Sequence, residues 1–110
     1  MARDAGLEAL IADHLGDRPG LVVKPMFGGM AWLLRGNLLC GARDTGMMVR
    51  LGKGRDAWAL ALPGIEVMRA GGDRPMAGWI VAGPDAFGGD DLRARLLDAA
   101  LAFVAELPSK

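Results

Sequence analysis

The sequence predicts an α+β domain of two layers: a five-stranded, mainly antiparallel sheet with helices packed on one face. Three observations carry this. Apolar residues recur at helical spacing near both ends, over 3–15 and 90–107. Between them lie short apolar runs separated by turn-forming residues. The 110 residues are 52% hydrophobic and contain no repeat, linker or low-complexity tract, so residues 1–110 read as one domain with one core.

Each element has a local reason. In the first helix Leu7, Leu10, Ile11 and Leu15 share a face, Asp4 and Glu8 suit the positive N-terminal end, and Gly16 then Pro19 end it. Residues 22–35 read as extended, with Val22-Val23 ahead of Pro25 and an apolar run from Met30 to Leu34. Gly36-Asn37 is a two-residue hairpin signal leading to a second strand at 38–42. A turn at RDTG precedes a third strand from Met47 to Leu51. GKGRDAWALALPG leaves room for a short helix at 55–62, with Trp58 and Leu62 on one side. Strands at 65–69 and 76–82 follow, joined by AGGDRP. In the last helix Leu92, Leu96, Ala100, Phe103 and Leu107 form the stripe, Asp90 and Asp91 sit in the first turn, and Pro108 stops it. The order is α, three strands, α, two strands, α.

One property of the strands departs from the usual pattern. A strand with one wet face alternates apolar and polar residues. MAWLL, LLCGA, MMV and WIVA are apolar at both parities. With helices on one side only, the other sheet face is then apolar too, and such faces mark interaction surfaces. The expectation is that another subunit or a partner covers it; the alternative is that the helices and the 16–29 segment wrap both sides.

Composition narrows the chemistry. Thirteen basic and thirteen acidic residues cancel, which counts against nucleic acid as the main partner. The balance is uneven along the chain: residues 21–79 carry +4, and residues 1–20 and 80–110 carry −2 each. A basic strand region flanked by acidic helices suits self-association. Cys40 is the only cysteine, so an internal disulfide is excluded. The opening MARDAGLEAL carries acids too early for a secretory leader. The longest uncharged runs, PMFGGMAWLL and PMAGWIVAGP, are 10 residues each, short of the roughly 18–20 of a membrane span. The expected location is cytoplasmic, with no membrane partner.

Catalytic, cofactor and metal sites find no support. Gly28-Gly29 lacks both the spacing and the following helix of a dinucleotide loop, and reads as a shaping element of the strand region. GMMVRLGKG has five residues between its glycines where a P-loop has four, and Gly54 stands where Ser or Thr would bind magnesium. His14, Ser109 and Thr45 are the only residues of their types, so neither a histidine-based metal site nor a hydroxyl nucleophile with its base can be assembled. Cys40, in an apolar run without a CxxC partner, reads as a small core hydrophobe.

MFGGMAWLLRGNLLCGA, then MMVRLG, DRPMAGWIVA and a closing helix ending FVAELP, resemble in this order the TfoX/Sxy N-terminal domain family, over roughly residues 7–108. The resemblance implies an α-β(3)-α-β(2)-α fold like that of secretion chaperones, and makes MFGG a fold signature with no catalytic role. It also implies a link to regulation of competence genes, where the regulators act with the cyclic-AMP receptor protein at promoters. Those regulators carry a further C-terminal helical domain; this chain is similar to the stand-alone, single-domain members.

The leading expectation is a non-enzymatic cytoplasmic interaction module, self-associating or bound to another protein, in a competence-type transcriptional setting. Its expected contacts are Met30, Trp32, Met48 and Trp79. The second is direct nucleic-acid binding by Arg43, Arg50, Lys53 and Arg55. The third is a small enzyme or ligand binder using Cys40.

Overall fold

A computed structural model of the chain describes residues 4–26 and 28–110. Helix α1 spans Ala5–Leu15; strands β1 Leu21–Met26, β2 Gly29–Leu34, β3 Asn37–Arg43 and β4 Gly46–Arg50 follow. Then come α2 Ala57–Leu60, β5 Ile65–Ala70, a 3-10 turn at Gly71–Asp73, β6 Arg74–Ala82, α3 Pro84–Phe87 and α4 Asp90–Ala105. The six strands form one open sheet in the order β1-β2-β3-β4-β6-β5. Every neighbouring pair is antiparallel.

The sheet thus has six strands, not five. The segment expected as one extended run is two strands, because the chain reverses after Met26 and Met26 pairs with Gly29. Phe27, inside the MFGG stretch, and Arg3, at the expected start of α1, lie outside the described residues. Both glycines of the pair have a backbone reason. Gly28 has φ 76, and a Cβ on Gly29 would stand 1.9 Å from the Ala42 carbonyl oxygen of β3. β1 is an edge strand, which tolerates Pro25 because the missing N–H costs no interior ladder bond. A second addition is α3, opened by Pro84 at its first position.

The β2–β3 turn sits one residue earlier than expected. Its loop residues are Arg35 (φ 50) and Gly36 (φ 83), both left-handed as a tight primed hairpin requires. Asn37 is consequently a strand residue opposite Leu34. It is buried, and its Nδ2 donates to the Pro108 carbonyl at 2.8 Å. The Lys110 amide donates to the Arg35 carbonyl at 3.0 Å, so the C-terminal tail is tied to this turn.

α1 and α4 pack on the same side of the sheet. α1 contributes Leu7, Ile11 and Leu15; α4 contributes Leu96, Leu97, Ala100 and Val104. They meet Trp32, Leu39, Cys40, Met47, Val49 and Ile80 from the central strands. The apolar run LLCGA breaks alternation because β3 is bulged. Trp32 pairs with Cys40 and Leu33 with Leu38, leaving Leu39 as an extra residue, and Leu39 and Cys40 both enter the helix-side core.

Candidate interaction surface

The opposite face of the sheet is built from the intervening positions. Val22 pairs with Leu33 and Leu33 with Leu38. Arg50 pairs with Trp79, and Met48 with Gly41 on one side and Val81 on the other. These residues lie outside the helix-packed cluster. Val22 is 48% exposed, whereas Leu33, Leu38, Trp79 and Val81 are half-buried.

Part of this face is covered from within the chain. Met48 is fully buried, and it lies against Gly41, where an added Cβ would come 3.1 Å from the Met48 methyl. The cover comes from the β5–β6 hairpin. Its ladder is interrupted: between the pairs Val67–Ile80 and Arg69–Pro75, Met68 alone faces the stretch from Met76 to Trp79. Gly78, at φ 87 inside that stretch, presses on the chain at Gly52–Lys53, with its carbonyl accepting from the Leu51 and Gly52 amides. Asp56 Oδ2 accepts from the Gly78 amide at 3.2 Å.

The interruption brings Met68 and Met76 to Leu38, Met48 and Trp79 around a cavity of about 310 Å³, with Arg43, Arg69 and Ala70 completing the wall. A neighbouring cleft shares Arg43, Met68 and Arg69 and adds Thr45, Glu66, Val67 and Val81. No helix supplies a lining residue to either. The Arg69 side chain is engaged by Asp73, donating to its carbonyl at 3.1 Å and lying 3.7 Å from its carboxylate. Arg43 has no such partner. Its Nε is shut off from solvent without an acceptor, and the side chain makes no hydrogen bond or ion pair with any described residue.

The four expected partner contacts divide between the two faces. Met48 and Trp79 belong to the cavity. Trp32 is 3% exposed and packs toward the helices, and Met30 is half-buried against the same core. Trp32 also borders a cleft of about 380 Å³ between the end of α1 and β1, whose other walls include Asp13, Asp17 and Arg18.

The four expected nucleic-acid contacts are likewise dispersed. Arg43 stands at one end of the β3–β4 ladder and Arg50 at the other. Arg50 donates to the Leu38 carbonyl at 3.3 Å, and its guanidinium lies near both the Trp79 and the Phe103 rings. Arg55 makes a two-pronged pair with Glu106 and covers Phe103 at 5.4 Å, while Lys53 is exposed in the intervening turn. Cys40 is wholly buried, and desolvation pushes its thiol far above the ordinary range, which disfavours the thiolate a nucleophile needs. Among the described residues there is no cluster of metal-ligating side chains, and no helix is long and apolar enough to cross a membrane.

Leu38, Arg43, Met68 and Met76 were not expected to meet. Residues of three ladders assemble this wall, and the interruption in β6 that joins them has no short-range signal beyond Gly78 itself. These features define a small α+β protein with helices on one side of an open antiparallel sheet and a methionine-lined cavity on the other. Comparison of the chain with protein-family models, curated proteins and solved structures finds no match.

Proposed function

We propose that the chain is a non-enzymatic protein-interaction module that binds its partner on the sheet face opposite the helices. One observation carries this reading: the row Val22, Leu33, Leu38 and Trp79 stays open or half-open, and among the described residues no helix lines the cavity and cleft of that face. Lys24 and Arg43 stand beside that row. Two copies apposed sheet to sheet would set these cations against each other, and a helix laid on a neighbour's sheet would leave its own sheet free to continue an open array. An apolar segment of another protein, flanked by acidic residues, satisfies both the row and its border.

The wider setting rests on the sequence resemblance to the TfoX/Sxy N-terminal domain family. We assign the module a cytoplasmic place as an accessory factor in competence-type transcriptional regulation, and a fold of the secretion-chaperone kind with β1 as an added edge strand. Direct nucleic-acid binding is less favoured, because Arg50 and Arg55 are engaged within the chain.

The test is site-specific photo-crosslinking in the native cytosol. A photo-reactive residue replacing Val22 should give a discrete protein adduct that Leu33→Glu abolishes, while the same probe at Ala102, exposed on α4, gives none. Identical adducts from both positions, or none from Val22, would overturn the reading. An adduct to nucleic acid instead would transfer support to the alternative.

A further inference from the structure

We propose that the cavity beneath the β5–β6 hairpin binds a small monocarboxylate with an apolar body, its carboxylate held by Arg43. This goes beyond the protein-interaction reading: it shares Leu38, Trp79 and Arg43 with that face but rests on the methionine walls beneath the hairpin and on the unpartnered guanidinium. The walls are supplied by Leu38, Met48, Met68, Met76 and Trp79. Methionine thioethers and an indole make an adaptable apolar lining, which suits a flexible alkyl or aromatic body. At about 310 Å³ the space lies at the lower end of the roughly 300–1,000 Å³ of small-molecule sites.

Arg43 sets the polar end. A guanidinium offers five donors in a planar fork, its two terminal nitrogens side by side at the tip. Arg43 lines both this cavity and the adjoining cleft, and its side chain makes no hydrogen bond or ion pair with any described residue. Its two terminal nitrogens, unlike Nε, are not shut off from solvent, so they are the donors open to a ligand. A carboxylate matches that fork.

The other charges limit the ligand to one negative charge. Arg69 is engaged by Asp73, and Glu66 lines the adjoining cleft with Arg43. A phosphate dianion would face one free guanidinium and a nearby carboxylate. A neutral apolar molecule would leave Arg43 as it is.

The methionine methyls report the test directly. Protein carrying 13C-methyl methionine is titrated with octanoate and, separately, with 1-octanol, and followed by methyl NMR. Octanoate should shift the Met48, Met68 and Met76 signals saturably while leaving Met47, on the helix side, in place. Affinity for octanol, and for octanoate in Arg43→Gln, should be at least tenfold weaker. Arg69→Gln should change the octanoate affinity by less than twofold. Absence of saturable shifts at the three methionines, equal affinity for octanoate and octanol, or unchanged binding by Arg43→Gln would overturn the proposal. Should Arg43→Gln fail to fold, the octanoate-to-octanol ratio in the unaltered protein decides alone.

Discussion

The Arg50 guanidinium lies 5.5 Å from the centre of the Trp79 ring, and the Phe103 ring stands 5.7 Å from the same guanidinium. One side chain thus joins the helix-free face of the sheet, through Trp79, to the end of α4, through Phe103. The geometry depends on Gly52, where an added Cβ would fall 2.6 Å from the Phe103 ring. Replacing Arg50 with methionine keeps the apolar stem and removes the charge and the bond to the Leu38 carbonyl. We expect a loss of about 1–2 kcal/mol, the sum of a partly desolvated cation–π contact and one hydrogen bond. Equilibrium urea unfolding measures it; a change under about 0.3 kcal/mol would mean that proximity to the rings contributes nothing.

The adjacent glycines 28 and 29 should respond very differently to alanine. At Gly28 the surroundings are open but φ is 76, so the cost is the left-handed penalty of about 1–2 kcal/mol. At Gly29 the new Cβ meets the Ala42 carbonyl oxygen, a backbone atom within the sheet that cannot swing aside. Gly29→Ala should cost more than about 3 kcal/mol or prevent folding, because the β2–β3 ladder must open to admit it. Unfolding curves for the two variants check this, and equal stabilities would contradict it. Asparagine, which tolerates the left-handed region, should do better than alanine at Gly28.

What was legible beforehand follows physical range. α1 and the body of α4 were visible because their apolar spacing is repeated over several turns, although the buried stripe of α4 passes through Leu97 and Val104 and leaves Leu92, Phe103 and Leu107 half-covered. β3 and β4 were visible because RDTG separates two apolar runs. β1 was not separated from β2: LVVKPM contains a proline, and Val22 and Val23 are both exposed, so it shows neither alternation nor a buried run. The face of each strand residue was hidden for another reason. The extra Leu39 in β3 and the interruption around Gly78 in β6 each reset parity, and a period-2 reading cannot cross them. Trp32 and Trp79 therefore looked alike in sequence and fall on opposite sides of the sheet. The cavity was out of reach altogether, since Leu38, Met48 and Met76 belong to three different strands.

Cys40 should behave as an inert probe of global opening. It is fully buried, it pairs with Trp32 and Val49, and its thiol is pushed up by desolvation. An aromatic disulfide reagent should therefore label it only at the rate of unfolding, with stoichiometric reaction in denaturant. The sign of the pH effect follows. A group whose folded pKa is raised contributes stability below its unfolded pKa and loses it as pH rises toward the folded value. Stability should accordingly fall in alkali above the ordinary thiol range, and Cys40→Ala should show a shallower fall despite its lower overall stability. Rapid labelling under native conditions would contradict the burial of this strand.

The pair of Arg55 and Glu106 makes the complementary prediction in acid. Arg55 donates from both terminal nitrogens to the two carboxylate oxygens at 3.1 Å, tying the turn after β4 to the end of α4. The hydrogen bonds, then the charge of Arg55, hold the Glu106 carboxyl below its ordinary range, and Glu106 in turn raises Arg55. For a carboxylate with a depressed folded pKa, the stability it adds is present above the unfolded pKa and is lost as pH falls through the folded value. Both side chains are more than half exposed, so salt should screen much of the effect. The side-chain carboxyl 13C signal of Glu106 should then titrate below the ordinary glutamate range at low ionic strength. High salt should move it back toward that range, and Arg55→Gln should do the same at low salt. If Glu106 titrates in the ordinary glutamate range at low salt in the unaltered protein, the two-pronged pair is not formed in solution, and Phe103 would lose the cation that covers it at 5.4 Å.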